Sequence, residues 1–111
     1  HIFQERFATN HFTLVAEEAG QIIGTATLVV GSKLLRGGVK HGRVSDVATH
    51  PDWVGKGVGS KLMEEIIRVA MVHGCYKITL GCDRKNVKFY ERFGFMEHGV
   101  QMRIDLPQAK K

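Results

Sequence analysis

The 111-residue sequence has only two cysteines, two prolines and one tryptophan, and it has no long hydrophobic run. Two cysteines are too few for a disulfide-stapled scaffold, so we expect Cys75 and Cys82 to be unpaired thiols in the reducing cytoplasm. No apolar segment approaches the roughly 20 residues of a membrane helix, and "HIFQERFATNHF" lacks a signal-peptide pattern. We therefore expect no stable membrane insertion. The first residue is not methionine, which suggests a fragment of a longer chain.

Metal-ligand spacing is also missing, because the six histidines are scattered without a zinc-site pattern. We expect no metal cofactor. The net charge of +5 favours anionic partners without saying which kind. The one dense basic patch, "RKNVKFYER", has Asp83 and Glu91 as compensating acids and is typical of a solvated helix face. Nucleic acid is therefore not the expected partner, although a basic nucleic-acid-binding domain stays open as an alternative.

The hydrophobic patterns predict one α/β domain over residues 1–106, with a mixed sheet, followed by a disordered tail over 107–111. In chain order, the predicted elements are the end of a helix (3–8), a hairpin of two strands (11–18 and 21–30) that turns at Ala19 and Gly20, a glycine-rich loop (31–42), a strand (43–49) closed by His50-Pro51, a helix (59–73), a strand (75–82), a short helix (84–93) and a last strand (94–106).

The helix over 59–73 has the clearest pattern. The side chains expected to be buried are Leu62, Met63, Ile66, Ile67, Val69 and Ala70. Glu64 and Arg68 are spaced for an i,i+4 ion pair, and Gly74 is expected to end the helix. A strand–helix–strand crossover implies that the strands over 43–49 and 75–82 pair in parallel. Asp83 is expected to cap the short helix that Gly94 ends.

The stretch "WVGKGVGSKL" places Gly55, Gly57 and Gly59 at alternate positions where that helix begins. Each glycine costs about 1 kcal/mol relative to alanine inside a regular element, so bare backbone must be needed there. Unpaired N–H groups at a helix start bind anions, and Lys56 and Lys61 are nearby. A tight strand-to-helix turn would also explain one glycine, but three with lysines favour a pyrophosphate cradle. Neither the Walker spacing nor a complete G-x-G-x-x-G fingerprint is present.

What remains resembles the pantetheine-pyrophosphate loop of the GNAT superfamily of N-acetyltransferases, Q/R-x-x-G-x-G/A, with Val54 in the Gln/Arg place. "GCYKITLGCDRKNVKFYERFGF" followed by "GVQM" resembles, more narrowly, the eukaryotic glucosamine-6-phosphate N-acetyltransferases. The resemblance runs from about residue 42 to 102. It implies the GNAT fold, a mixed but mostly antiparallel sheet flanked by helices, with the family's upstream strand and helices largely absent from this chain.

The resemblance also implies acetyl-CoA as co-substrate and a direct attack of the acceptor amine on the thioester. The residues it assigns to the cofactor are Val47, Ala48, Thr49, Val54, Gly55, Lys56, Gly57, Val58, Gly59, Ser60, Asn86 and Tyr90. Tyr90 is the implied acid for the departing sulfur. From spacing alone, an aromatic packing role with Phe89 and Phe93 stays open for it. An N–H near Val47–Thr49 is implied to bind the thioester oxygen.

The residues assigned to the acceptor are Ser45, Asp46, Gly81 and Arg103. Three positions depart from the family: Ser45 stands in "V-S-D" for "I-E-D", Gly81 in "L-G-C" for "L-D-C", and Asp105 in the place of a basic residue. Asp46 would orient the amine, and Arg103 could reach a sugar phosphate. A homodimer and a small amino sugar phosphate are the expected partners. Another acceptor amine, or a coenzyme A-binding module without catalysis, remains open.

Overall fold

The protein is described by a computed structural model, which covers residues 2–8, 10–33 and 38–109. The chain divides into two compact units, His1–Gly81 and Cys82–Lys111. The expected boundary at residue 106 and the disordered tail stay predictions.

The first unit is a five-stranded sheet in which the strand order follows the chain order. Its elements are β1 (Ile2–Ala8), β2 (His11–Glu18), β3 (Gln21–Lys33), β4 (Val39–Thr49), a 3-10 turn (Pro51–Trp53), α1 (Val58–Val72) and β5 (Cys75–Leu80). The pairs from β1 to β4 are antiparallel, and β4 pairs with β5 in parallel. The prediction of an α/β unit with a mixed, mostly antiparallel sheet is confirmed.

The hairpin between β2 and β3 turns where the sequence predicts it. Ala19 and Gly20 have φ values of 50° and 79°, the left-handed pair that a two-residue hairpin turn needs. The strands differ from prediction at their far ends. β3 continues to Lys33 and β4 begins at Val39, so most of the expected loop over 31–42 is strand. There β3 and β4 pair with each other as far as Lys33 and Val39, and residues 34–37 lie outside the described residues.

Helix α1 buries one side against the sheet and contacts β2, β3, β4 and β5. Its buried side chains are Leu62, Met63, Ile66, Val69 and Ala70, as predicted, whereas Ile67 is only half-buried. Gly74, with φ of 76°, follows the helix in the left-handed conformation. The predicted Glu64–Arg68 pair is wrong, because Arg68 Nε donates to Glu65 Oε1 at 3.2 Å instead. The i,i+3 spacing serves such a pair as well as i,i+4 does.

The expected helix end over residues 3–8 is wrong, because this segment is strand β1. Phe3 and Phe7 have helical spacing, but six residues hold less than two helical turns. The backbone hydrogen bonds that β1 forms with β2, where Phe3 lies opposite Val15, decide the conformation. A short window therefore carries too little periodicity to outweigh a neighbouring strand edge.

The second unit has less regular structure than the sequence predicts. The expected helix over 84–93 is a 3-10 turn (Arg84–Asn86) followed by α2 (Val87–Glu91). Asp83 stands at the cap position, yet it accepts the Asn86 N–H through its backbone oxygen, at 2.9 Å. The expected last strand is wrong, since residues 95–109 contain no strand. A strand needs a neighbouring edge to satisfy its backbone, and alternating side chains do not supply one.

Candidate active site

A bulge interrupts β4 at Asp46. Thr27 lies opposite Ser45 and Thr25 lies opposite Ala48, so β4 has one residue more than β3 between these pairs. Asp46 has φ of 53°, in the left-handed region that residues other than glycine seldom adopt. The Thr25 hydroxyl donates to the Asp46 carbonyl oxygen at 3.2 Å. The bulge therefore sets which way the backbone from Asp46 to Thr49 points.

The sheet opens beside this bulge. The ladder between β4 and β5 ends at the pair Val44–Leu80, whereas β4 continues to Thr49 and stays paired with β3. Within the described residues, the β5-facing edge of residues 45–49 has no strand beside it. Val47, Ala48 and Thr49, the residues assigned to the thioester and pantetheine, all lie on this open edge.

A tight turn leads from β4 to α1. His50 Nδ1 accepts the Asp52 N–H at 3.1 Å, and Pro51 supplies a fixed φ for the 3-10 turn. Lys56 N–H then donates to the Trp53 carbonyl at 3.3 Å. This turn connects the end of β4 to the start of α1.

Gly55 and Gly57 both have left-handed backbone, with φ of 82° and 84°. A β-carbon placed on either glycine would have no atom within 4 Å, so open space lies over both. The first i→i−4 bond of α1 runs from Lys61 N–H to Gly57 O at 3.1 Å. The N–H groups of Val58 and Gly59, at the very start of the helix, therefore have no i→i−4 acceptor within it.

The electrostatics of this junction suit an anion. Residues Val58–Lys61 include no acid, so nothing opposes the positive end of the α1 dipole. The Lys61 side chain is exposed. Lys56 is arranged differently from the simple cradle expected, because its Nζ lies 5.2 Å above the Trp53 ring. Its charge is held near the junction by an aromatic face instead of being aimed freely into solvent.

Tyr90 is the buried aromatic residue of the second unit, with 9% of its surface exposed. Its ring packs edge-on against the Phe89 ring, with 5.0 Å between the ring centroids, and its centroid lies 6.1 Å from that of Phe95. Burial, and to a smaller extent the Coulomb interaction with Cys82, raises the pKa of Tyr90 above its ordinary value.

The residues assigned to the acceptor are spread over both units. Ser45 is half-buried opposite Thr27, Asp46 is exposed in the bulge, and Gly81 follows the end of β5. Arg103 belongs to the second unit, where its Nε donates to Asp105 Oδ1 at 2.7 Å. Arg103 and Asp105 both belong to the segment expected to be the last strand, and instead of lying on a strand they form an exposed ion pair.

Asn86 is exposed and lies at the end of the 3-10 turn before α2, with Tyr90 on the helix itself. The structure thus places the bulge and the glycine junction in one unit, and Asn86, Tyr90 and Arg103 in the other. Two residues beside the site carried no signal in the sequence. Thr25 is one of two threonines on β3, and Gly24 looks like an ordinary strand glycine until its neighbours are known.

The family model described as "Acetyltransferase (GNAT) family" matches residues 1–95. The chain belongs to the acetyltransferase (GNAT) family. It is 38% identical over 90 residues to "Glucosamine 6-phosphate N-acetyltransferase" of Trypanosoma brucei brucei, covering 81% of this chain and 61% of that enzyme. It is 36% identical to "Glucosamine 6-phosphate N-acetyltransferase 1" of Dictyostelium discoideum, covering 98% of this chain and 74% of that one.

The crystal structure of glucosamine-6-phosphate N-acetyltransferase from Arabidopsis thaliana has the same fold, with a TM-score of 0.84 and 32% identity over 88% of this chain and 68% of that one. The expected GNAT membership and the resemblance to the glucosamine-6-phosphate branch are confirmed. The chain spans about three fifths of the length of the trypanosome enzyme.

Three further features concern this GNAT chain. No helix within residues 2–8, 10–33 and 38–109 is long and apolar enough to cross a membrane. No group of three or more His, Cys, Asp or Glu side chains that could hold a metal ion lies in the same residues. Cys75 and Cys82 are both free thiols, as predicted.

Proposed function

We propose that the protein is an acetyl-CoA-dependent N-acetyltransferase and that glucosamine 6-phosphate is its acceptor. The observation that carries the proposal is the β4–α1 junction, where Gly55 and Gly57 have left-handed backbone and leave open space over the start of a helix. Family membership makes acetyl-CoA the ligand of choice for that junction. The names of the relatives from Trypanosoma and Dictyostelium supply the acceptor.

The residues present fit the cofactor. The backbone of Val54–Ser60 would bind the pyrophosphate, since a diphosphate needs several N–H donors and no bulk above them. The open edge at Val47–Thr49 would pair with the pantetheine amides, as a strand would. Asn86 is a further proposed contact. Acetyl-CoA supplies a thioester whose carbonyl carbon accepts the amine and whose sulfur departs.

The roles proposed for the chain follow from its chemistry. A main-chain N–H next to the bulge donates a hydrogen bond to the thioester oxygen, where negative charge develops. The Tyr90 hydroxyl donates its proton to the departing sulfur. Asp46 accepts a hydrogen bond from the acceptor amine and orients it. The neutral amine attacks the thioester carbon directly, with both substrates bound, and the C–S bond breaks as the C–N bond forms. The proton that the nitrogen then loses passes through Asp46 and water to solvent, from which Tyr90 is reprotonated.

The acceptor side of the site carries less charge than the relatives' motif. Ser45 and Gly81 stand where the motif has acids, which weakens attraction of an ammonium group. Arg103 would have to exchange Asp105 for a substrate phosphate, and both side chains are more than three-quarters exposed, which makes that exchange inexpensive. A different amine acceptor is therefore the alternative within the same reaction class.

A homodimer in the cytoplasm completes the proposal. The side chains of Val100, Met102, Ile104 and Leu106 alternate along the chain as in a strand, and between 66% and 89% of each is exposed. Pairing with the same segment of a second copy would give these residues a partner edge and cover their apolar surface. The two free thiols suit a reducing compartment.

A second candidate is a coenzyme A-binding module without catalysis, which Ser45 and Gly81 favour. The deciding experiment follows release of free thiol from acetyl-CoA with glucosamine 6-phosphate, with glucosamine, with a panel of other primary amines, and without acceptor. Thiol release that depends on the sugar phosphate supports the proposal. Release with another amine alone reassigns the acceptor. Binding of acetyl-CoA without release to any amine overturns the enzyme and supports the module.

A further inference from the structure

Gly24, on β3, lies where the sheet meets the start of α1. It pairs with Ala16 on β2 and with Thr49 on β4, one residue before the turn to the helix. A β-carbon on Gly24 would lie 2.7 Å from Val58 Cγ1, 3.0 Å from Leu62 Cδ1 and 3.3 Å from Ala48 O. Ordinary contacts of a β-carbon begin at 3.4 Å, so there is no room for a methyl group at this point.

The atoms that crowd Gly24 belong to the proposed cofactor site. Val58 is the first residue of α1 and directly follows Gly57, so a shift of Val58 moves the N–H groups of the first turn. Ala48 lies on the open edge of β4. Gly24 thus contacts both the segment proposed to bind pyrophosphate and the segment proposed to bind the thioester end.

Small displacements matter here because hydrogen bonds weaken steeply with distance and angle. To relieve the Gly24–Val58 contact at 2.7 Å, either the Val58 side chain must leave the rotamer that a helix strongly favours for valine, or the helix start must retreat towards the 3.4 Å of ordinary contact. The second response is the one that disturbs the junction. Several N–H groups would then move together, away from one bound diphosphate.

We propose that Gly24 is a positioning residue that seats the N-terminus of α1 on β3 and thereby sets the affinity for acetyl-CoA. The proposal rests on the proposed function, since it assumes that the junction binds this ligand. Gly24 acts through Val58 and touches no substrate itself.

Two other glycines of the same sheet serve as controls. A β-carbon on Gly31, also on β3, would meet no atom within 4 Å. One on Gly42, on β4, would meet Leu28 Cδ1 at 3.0 Å and Cys75 Sγ at 3.3 Å, and neither residue belongs to α1. Gly42→Ala therefore overpacks the sheet without displacing the start of α1. Gly31→Ala neither overpacks the sheet nor displaces the helix.

The experiment compares Gly24→Ala, Gly31→Ala and Gly42→Ala by thermal unfolding, by calorimetric titration with acetyl-CoA, and by KM and kcat. We expect both overpacked variants to lose several degrees of Tm, because an extra methyl in a packed site is destabilising. Only Gly24→Ala should weaken acetyl-CoA binding, by about tenfold, corresponding to about 1.4 kcal/mol. Its KM should rise more than its kcat falls, and Gly31→Ala should match the wild type.

The double variant Gly24→Ala/Val58→Ala lacks the closest clash. Its affinity for acetyl-CoA should lie within about threefold of that of Val58→Ala alone, and the two single variants, the double variant and the wild type together form a double-mutant cycle. If Gly24→Ala does not fold, this pair carries the test, and a double variant that folds but binds tenfold more weakly than Val58→Ala overturns the proposal. Equal affinity of Gly24→Ala and wild type, or equal losses in Gly24→Ala and Gly42→Ala, also overturns it. A wild type that binds no acetyl-CoA instead overturns the proposed function.

Discussion

The Thr25 hydroxyl donates to the carbonyl oxygen of Asp46, a residue held at φ of 53° within β4. A left-handed aspartate costs free energy, about 1 kcal/mol or more, and persists only where neighbours enforce it. The Thr25 side chain is one such neighbour, reaching across from the adjacent strand. Strain of this kind, next to an open sheet edge, lies in the part of β4 that we propose binds the thioester end of acetyl-CoA.

Thr25→Val tests that clamp, because valine keeps the shape of threonine and loses its hydroxyl. We expect kcat to fall about tenfold with little change in acetyl-CoA affinity, since a misaligned donor to the thioester oxygen weakens only transition-state binding. Thr13→Val is the matched control: it breaks the 3.0 Å hydroxyl bond between Thr13 on β2 and Thr27 on β3, and it leaves the bond from Thr25 to Asp46 in place. Equal losses of kcat in both variants would show that Thr25 serves the sheet and not the site.

Gly57→Arg should abolish acetyl-CoA binding, with an affinity loss of about a hundredfold or more, because its side chain fills the space over the helix start. The control is Gly74→Arg. Gly74 has the same left-handed backbone and the same open surroundings, at the other end of α1. Both substitutions should cost about 1–2 kcal/mol of stability through backbone strain. In calorimetric titrations with acetyl-CoA, Gly74→Arg should bind like the wild type and Gly57→Arg should not bind. Retained binding by Gly57→Arg would exclude the junction as the diphosphate site.

Tyr90→Phe should lower kcat by about a hundredfold or more while leaving acetyl-CoA affinity nearly unchanged, as expected when a general acid is lost. Phenylalanine keeps the edge-on packing against Phe89, so the fold should be little affected. Phe89→Leu provides the comparison, since it disturbs that packing and leaves the hydroxyl in place. A Tyr90→Phe enzyme with wild-type turnover would reduce Tyr90 to a packing residue.

The ionisation of Tyr90 offers an independent check. The pH titration of tyrosinate absorbance is measured for the wild type and for Tyr90→Phe, and the difference between the two curves reports Tyr90. Because the pKa of Tyr90 is raised, this difference should have its midpoint above the ordinary pH of about 10. Because the folded state binds this proton more tightly than the unfolded state does, the associated stability is complete below about pH 10 and is lost as pH rises through the folded pKa. Cys82→Ser, which removes the smaller cause, should lower the midpoint only slightly. A midpoint at or below 10 would contradict the burial of this phenol.

Much of the first unit could be predicted from the sequence. The α1 pattern, its glycine stop, the Ala19-Gly20 hairpin and the parallel pairing of β4 with β5 all follow from local periodicity and turn chemistry. The glycines at 55 and 57 indicated the junction correctly, and their left-handed backbone explains why no other residue serves there as well.

The errors have a common physical origin, since each depends on what lies beside a segment. β1 is a strand because the edge of β2 is available, whereas residues 95–109 form none although their side chains alternate. The bulge at Asp46 and the crowding at Gly24 arise from contacts between strands and helix that no sequence window contains. Roles of single backbone groups are therefore the part of the site that a sequence conceals most.

The central claim is that main-chain N–H groups between β4 and α1 bind the diphosphate of coenzyme A. The most direct measurement is a titration of the ¹⁵N-labelled protein with acetyl-CoA, followed by the amide resonances of individual residues. We expect the amides of Gly55, Gly57, Val58 and Gly59 to undergo the largest saturable shifts and to become protected from solvent exchange. Saturable binding that leaves these four amides unshifted would contradict the account.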